Sequence, residues 1–290
     1  MTLSAELVVA AGCETGEGPV WDVSTQTLWW TDIPGRRLHR CDATGGGHES
    51  FEMPGRVGSF ALREAGGLVL AMEHGFALYD PTGGRLQALA EPEAGMTTHR
   101  FNDGRCDREG RFLAGSMNLA RDAASARLWR LDPDGGVVSV AGDCTVANGL
   151  AFSPDGRTMY WADSGRRQVF RFAYDRDGRA TERTLWLDNG AAPGGPDGAA
   201  VDAEGCYWSA RWGGGCVVRF TPDGRIDRVV QVPVSRASMC AFGGADLRTL
   251  YITTAWEGMA PEARAAEPLA GGVFAVALDV AGIEEPRFAG

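Results

Sequence analysis

Slid against itself, the sequence of 290 residues matches at long, regular intervals. Glu17-Gly18-Pro19-Val20-Trp21 leads into Leu28-Trp29-Trp30-Thr31-Asp32, and Asn148-Gly149-Leu150-Ala151-Phe152 leads into Met159-Tyr160-Trp161-Ala162-Asp163 with the same offset and no gap. Further copies begin at Asn102 and Asp197, where a second Gly (Gly110, Gly205) follows at the spacing of Gly156 after Asn148. Weaker copies begin near Gly58 and Ser238. Six copies in 290 residues is about 48 residues each, the length of a four-stranded propeller blade.

The copy at Asn148 shows the strand plan. Leu150–Ser153, Thr158–Asp163, Gln168–Tyr174 and Arg183–Leu187 alternate or run apolar, separated by Asp155-Gly156, Ser164-Gly165 and Asp177-Gly178, dipeptides suited to tight hairpin turns. No segment of comparable length carries a 3.6-residue period. The surplus of glycine, 41 residues, is thereby assigned to turns. The fold class expected is all-β, a six-bladed β-propeller of four-stranded antiparallel blades, forming a single domain over residues 1–290. An open last blade would expose a strand edge, and little chain remains after Gly272–Leu278 for a fourth strand. Glu6–Ala10, otherwise unassigned, is therefore predicted to close the last blade.

The repeat also lists the residue that precedes each innermost strand: Glu17, Gly58, Asn102, Asn148, Asp197 and Ser238. In a propeller, equivalent ends of the inner strands converge on the central channel. Two carboxylates, two carboxamides and a hydroxyl make an improbable dry core, because such groups cost free energy when buried unpaired. Taken singly, each has a plainer explanation: Asn148-Gly149 and Pro196-Asp197-Gly198 are good turns, and Glu17 suits a solvated surface. Their shared register favours a site. An all-oxygen set of this kind suits hard divalent cations such as Ca²⁺, Mg²⁺ and Mn²⁺, and three protein ligands leave positions for water and substrate.

Composition removes competing chemistries. The net charge is −10, which disfavours a nucleic-acid partner, since that affinity comes from neutralising phosphates. All 28 basic residues are Arg, so no Schiff-base or phosphate-loop lysine exists. The seven Cys are scattered without a Cys-x-x-Cys pair, so buried free thiols are expected rather than disulfides or a zinc ribbon. The four His form no ligand-spaced pair, although His99 adjoins the Asn102 segment. No serine-hydrolase elbow, dinucleotide fingerprint or nucleotide loop occurs. Lacking a basic-then-apolar start or an 18-residue apolar run, the chain is expected to be a cytoplasmic monomer with no membrane partner.

Gly16-Glu17-Gly18-Pro19-Val20-Trp21, Arg100-Phe101-Asn102-Asp103-Gly104, Asn148-Gly149-Leu150, Pro196-Asp197-Gly198, Phe242-Gly243-Gly244 and Ala270-Gly271-Gly272-Val273-Phe274 together resemble the SMP-30/gluconolactonase/LRE-like family, over nearly the whole chain from Gly16 to Phe274. The resemblance implies a propeller that hydrolyses sugar lactones with one divalent metal ion, drawn from Ca, Mg, Mn, Zn and Fe(II). It implies Glu17, Asn148 and Asp197 as metal ligands, Asp197 also as general base, and Arg100 and Asn102 as substrate-binding residues. The repeat register selects four of these five positions independently.

One departure stands out. Some members carry an acidic substrate contact shortly after the segment matching Gly115-Ser116-Met117, whereas this chain reads Asn118-Leu119-Ala120-Arg121. Asn118 is accordingly expected to take over part of a substrate contact, and the loop at Trp256-Glu257-Gly258-Met259 is a second candidate for lining the mouth. The expected reaction is opening of an aldonolactone to its aldonic acid, with the carbonyl polarised by the cation and water deprotonated by Asp197. Two alternatives remain at this level: a metal-dependent esterase or phosphotriesterase on the same scaffold, and a cation-binding or ligand-sensing propeller without activity.

Overall fold

A computed structural model describes residues 3–189 and 192–290. Its strands form six antiparallel blades of four strands, the six-bladed β-propeller class expected from the repeat. The chain divides into two compact units, residues 1–52 with 189–284, and residues 53–188 with 285–290.

The first unit holds the first, fifth and sixth blades. The first blade runs Gly16–Asp22, Thr27–Asp32, Arg37–Asp42 and Glu49–Glu52. The fifth runs Gly195–Val201, Tyr207–Trp212, Cys216–Phe220 and Ile226–Gln231, and Leu3–Ser4 adds a short parallel fifth strand at its outer edge. The sixth blade contains Ala237–Gly243, Thr249–Thr254 and Val273–Ala277, and its fourth strand is the N-terminal Glu6–Val9, paired antiparallel to Val273–Ala277. The predicted closure is therefore observed. One helical turn and a half, Pro261–Ala266, was not signalled by periodicity and buries nothing.

Aromatic packing between the inner strand of one blade and the second strand of its neighbour supplies part of this unit's core. Trp21 stacks on Tyr251 with ring centroids 5.6 Å apart, and Trp208 meets Phe242 edge-on at 5.7 Å. Gly243 lies against the first of these pairs. A Cβ there would fall 2.8 Å from both rings, which accounts physically for the Phe242-Gly243-Gly244 motif.

The second unit holds the second, third and fourth blades, whose inner strands are Val57–Leu62, His99–Cys106 and Ala147–Phe152. The fourth blade continues through Thr158–Asp163, Gln168–Tyr174 and Ala180–Asp188, matching the strand plan read from the sequence. Between the second and third blades, one core cluster of this unit joins Phe76, Phe101 and Phe112 with Phe288 from the C-terminal segment. That tail is pinned by Phe288 N–H donating to Leu62 O at 2.8 Å and by an Arg105–Glu285 ion pair at 2.5 Å. All seven cysteines are free and buried.

Every inner strand carries a β-bulge at one place. Pairing slips between Glu17 and Val20, Val57 and Ser59, Phe101 and Gly104, Asn148 and Ala151, Pro196 and Ala199, and Ala237 and Met239. These are the six positions that the repeat aligns. A bulge breaks the strict alternation of side chains and re-aims those it carries.

Candidate functional site

Within the unit of residues 53–188 and 285–290, four side chains form a directed hydrogen-bond chain. Arg100 can only donate, and its Nη1 lies 2.7 Å from Asn102 Oδ1. That fixes the Asn102 amide, so its Nδ2 donates to Ala147 O and to Asn148 Oδ1, each at 2.9 Å. Asn148 is fixed in turn, because its Nδ2 donates to Ser164 Oγ at 2.8 Å. One guanidinium thus sets the orientation of two amides, leaving the second lone pair of the Asn148 carbonyl oxygen outside the chain. Hard cations take an amide oxygen and never its nitrogen, so this is the orientation a metal ligand needs. Gly149 follows at φ 55°, a left-handed turn that suits Gly.

Asn102 and Asp103 are the two bulge residues that together oppose the single Gly115. Asp103 is buried and accepts from Leu150 N–H at 2.8 Å through Oδ2, while Oδ1 has no partner among the described residues. Burial pushes its carboxyl above the ordinary carboxylate range, against the pull of Leu150 N–H and the Arg105 charge. Gly58 contributes no side chain at its position. A Cβ there would lie 2.4 Å from Phe101 O, so glycine lets the neighbouring strand come close.

Asn118 is buried at the end of Phe112–Asn118. Its Oδ1 accepts from Ala120 N and Arg121 N at 2.9 and 3.0 Å, and its Nδ2 donates to Ser125 Oγ at 3.2 Å. His99 Nε2 meets the same Ser125 hydroxyl at 2.8 Å. Both residues shape the 118–125 loop beside Arg100.

Within the unit of residues 1–52 and 189–284, Glu17 and Asp197 occupy the equivalent bulges of the first and fifth blades, and both are 6% exposed. Glu17 Oε2 accepts from Gly18 N–H at 3.0 Å. Gly198 follows Asp197 where a Cβ would strike Met239 at 2.4 Å, so the fifth and sixth inner strands pack backbone against side chain at Asp197. Ser238 donates to Gly16 O at 2.5 Å, tying the sixth inner strand to the residue before Glu17.

The Trp256 loop buttresses this segment. Trp256 N and Glu257 N both donate to Glu14 O at 2.9 Å, and Thr15 Oγ1 donates to Glu257 Oε2 at 2.6 Å. Among the described residues, no three His, Cys, Asp or Glu side chains cluster as a metal site. Within its own unit, Asn148 is an amide whose oxygen is oriented by its neighbours. In the sequence, Asp103 stands in a motif, Ser164 in a turn dipeptide and Glu257 in a candidate mouth loop, none with a role of its own. Only their partners, 47, 16 and 242 residues distant, reveal them.

The family model for the SMP-30/gluconolactonase/LRE-like region matches residues 15–256. A 6-deoxy-6-sulfogluconolactonase of Pseudomonas putida is 43% identical over 291 aligned residues, covering both chains completely. A pentonolactonase of Haloferax volcanii is 36% identical, covering 97% of this chain and 96% of its own. Among solved structures, a calcium-binding protein, regucalcin, from Agrobacterium tumefaciens superposes with a TM-score of 0.95 at 30% identity, over 99% of this chain and 98% of that one.

Proposed function

Because the chain belongs to the SMP-30/gluconolactonase/LRE-like family, we propose that it opens a sugar lactone to the corresponding aldonic acid with the help of one divalent cation. Lactonase names among relatives that match from end to end support the reaction class. The observation that carries the reading is the hydrogen-bond chain from Arg100 through Asn102 and Asn148 to Ser164, which presents an amide oxygen rather than an NH₂ group.

Glu17, Asn148 and Asp197 would hold the cation through oxygen, a donor set that suits Ca²⁺, Mg²⁺ or Mn²⁺. When bound, the cation supplies Lewis-acid polarisation of the lactone carbonyl. Asp197 takes the proton of the attacking water and passes it to the ring oxygen as the ester C–O bond breaks, so the reaction needs no covalent nucleophile. Arg100 is permanently charged and offers several donors, so it holds a substrate hydroxyl or carbonyl oxygen while still orienting Asn102. Asn102 shares that contact, and Asn118 shapes the loop beside it. The substrate is a small sugar lactone handled by one propeller domain acting as a monomer.

The test is a lactone panel on metal-stripped protein reconstituted with one cation at a time. Ring opening of pentono- or hexonolactones above the buffer rate, abolished by chelator and restored by a divalent cation, is the expected outcome. Lactone opening at the buffer rate with every cation present would overturn the reading. Higher efficiency on aryl esters or phosphotriesters than on lactones would replace it.

A further inference from the structure

In the fourth blade the bulge sets Gly149 and Leu150 together opposite Trp161, so Leu150 N–H drops out of register with its partner strand. Asn148 sits at the edge of that bulge, and its direction depends on how firmly the bulge is held. Asn102 Nδ2 holds the upstream side through Ala147 O, and Ser164 holds the Asn148 amide nitrogen. The downstream side is held by Asp103 Oδ2 on Leu150 N–H at 2.8 Å.

Consecutive residues on a regular strand point to opposite faces, so one strand does not ordinarily send two adjacent side chains to the same neighbour. Asn102 and Asp103 manage it because they are the two residues of their own bulge that oppose a single partner. The third-blade bulge therefore grips the fourth-blade bulge at both ends. Gly115 permits the approach, since a Cβ there would lie 2.4 Å from Ala147 Cβ.

We infer that Asp103 is a positioning residue for the hydrolysis: through Leu150 N–H it locks the bulge that aims the Asn148 amide oxygen. The inference rests on the proposed function, in which Asn148 is a cation ligand. Asp103 leaves Oδ1 buried with no partner among the described residues, a desolvation cost that the smaller acceptor of Ser or Thr would reduce. What the longer Asp side chain adds is the reach that brings an acceptor to the one amide that fixes the bulge.

Three readouts test it on the full chain: hydrogen exchange of the Leu150 amide, the dissociation constant for Ca²⁺ and Mn²⁺ by calorimetry, and lactone turnover as a function of cation concentration. In Asp103→Ala the Leu150 amide loses its protection and the cation dissociation constant rises about 10- to 100-fold, the usual effect of removing a group that orients a ligand. Turnover then falls at limiting cation and recovers at saturating cation. Asp103→Asn keeps an acceptor for Leu150 N–H and stays within about threefold of the wild type in affinity. If the alanine variant does not fold, Asp103→Ser, whose shorter side chain cannot span to Leu150, gives the same reading.

Wild-type cation affinity in the alanine or serine variant overturns the inference, as does equal loss in the alanine and asparagine variants. A wild-type protein that binds no divalent cation overturns the proposed function instead. The Leu150 exchange then still reports whether Asp103 holds the bulge.

Discussion

Asp197 and Asp202 lie at opposite ends of one short stretch of the fifth blade, and both are buried. Asp202 is saturated from within: Oδ1 accepts from Glu204 N and Cys206 N at 3.0 and 2.9 Å, and Oδ2 accepts from Trp208 Nε1 and Arg219 Nε at 2.8 Å each. The third blade repeats the arrangement. Asp107 takes Glu109 N, Arg111 N, Arg111 Nε and Tyr174 OH, while Asn102 and Asp103 occupy the bulge at the other end of the strand. One end of the inner strands closes a turn with a carboxylate whose acceptor sites are filled by the turn's own amides and by nearby side chains. The other end re-aims side chains with a bulge. Residue type does not separate the two roles, but position along the strand does.

The largest effect that would sharpen this contrast is on turnover. Asp197→Ala is expected to lower kcat by about 10³-fold, the usual worth of a general base, while the metal-free protein keeps its wild-type melting temperature to within a few degrees. A loss of kcat below about tenfold would remove Asp197 from the base role. At the turn end the outcome reverses. Asp202→Ala strips Arg219 and Trp208 of a buried acceptor and is expected to cost about 3 kcal/mol of unfolding free energy in urea titrations. The kcat per folded molecule should hold. If Asp202→Ala were as stable as the wild type but inactive, the division between the two strand ends would fail.

The register that separates these ends was legible because the six copies keep their spacing: aligning Glu17, Asn102, Asn148 and Asp197 requires no knowledge of packing. The N-terminal closing strand was legible too, since an unfilled edge has to be covered. The bulges were not, because a bulge is defined by the partner strand and leaves no mark in a single strand's apolar pattern. The roles of Asp103, Ser164 and Glu257 depend on partners far away in sequence. Asn118 illustrates the same limit. Its bonds to Ala120, Arg121 and Ser125 of the adjoining loop are set by the fold of that loop and not by its place on the strand. The C-terminal tail seats Phe288 among Phe76, Phe101 and Phe112, a long-range packing choice that no local pattern announces.

A smaller effect separates the strand ends from the body of a blade. His39, on Arg37–Asp42, is stacked on Trp30 at 5.1 Å, lies 3.8 Å from Cys13 Sγ through Nε2, and meets His48 Nε2 at 3.1 Å through Nδ1. Burial, then the nearby His48 and Arg37, lowers its pKa to about 4. The unfolded chain takes up this proton below about pH 6.5, whereas the folded protein refuses it until about pH 4. The stabilising contribution is therefore complete above about pH 6.5 and is lost as pH falls towards 4. It amounts to about 2 kcal/mol between pH 7 and pH 4.5. His39→Phe keeps an aromatic face on Trp30 and removes the titration, so wild type minus variant should show this slope in urea unfolding. The pH profile of kcat, set at the bulge end, should stay where it is. A shift of that profile in His39→Phe would mean that the blade body and the bulge end are not independent.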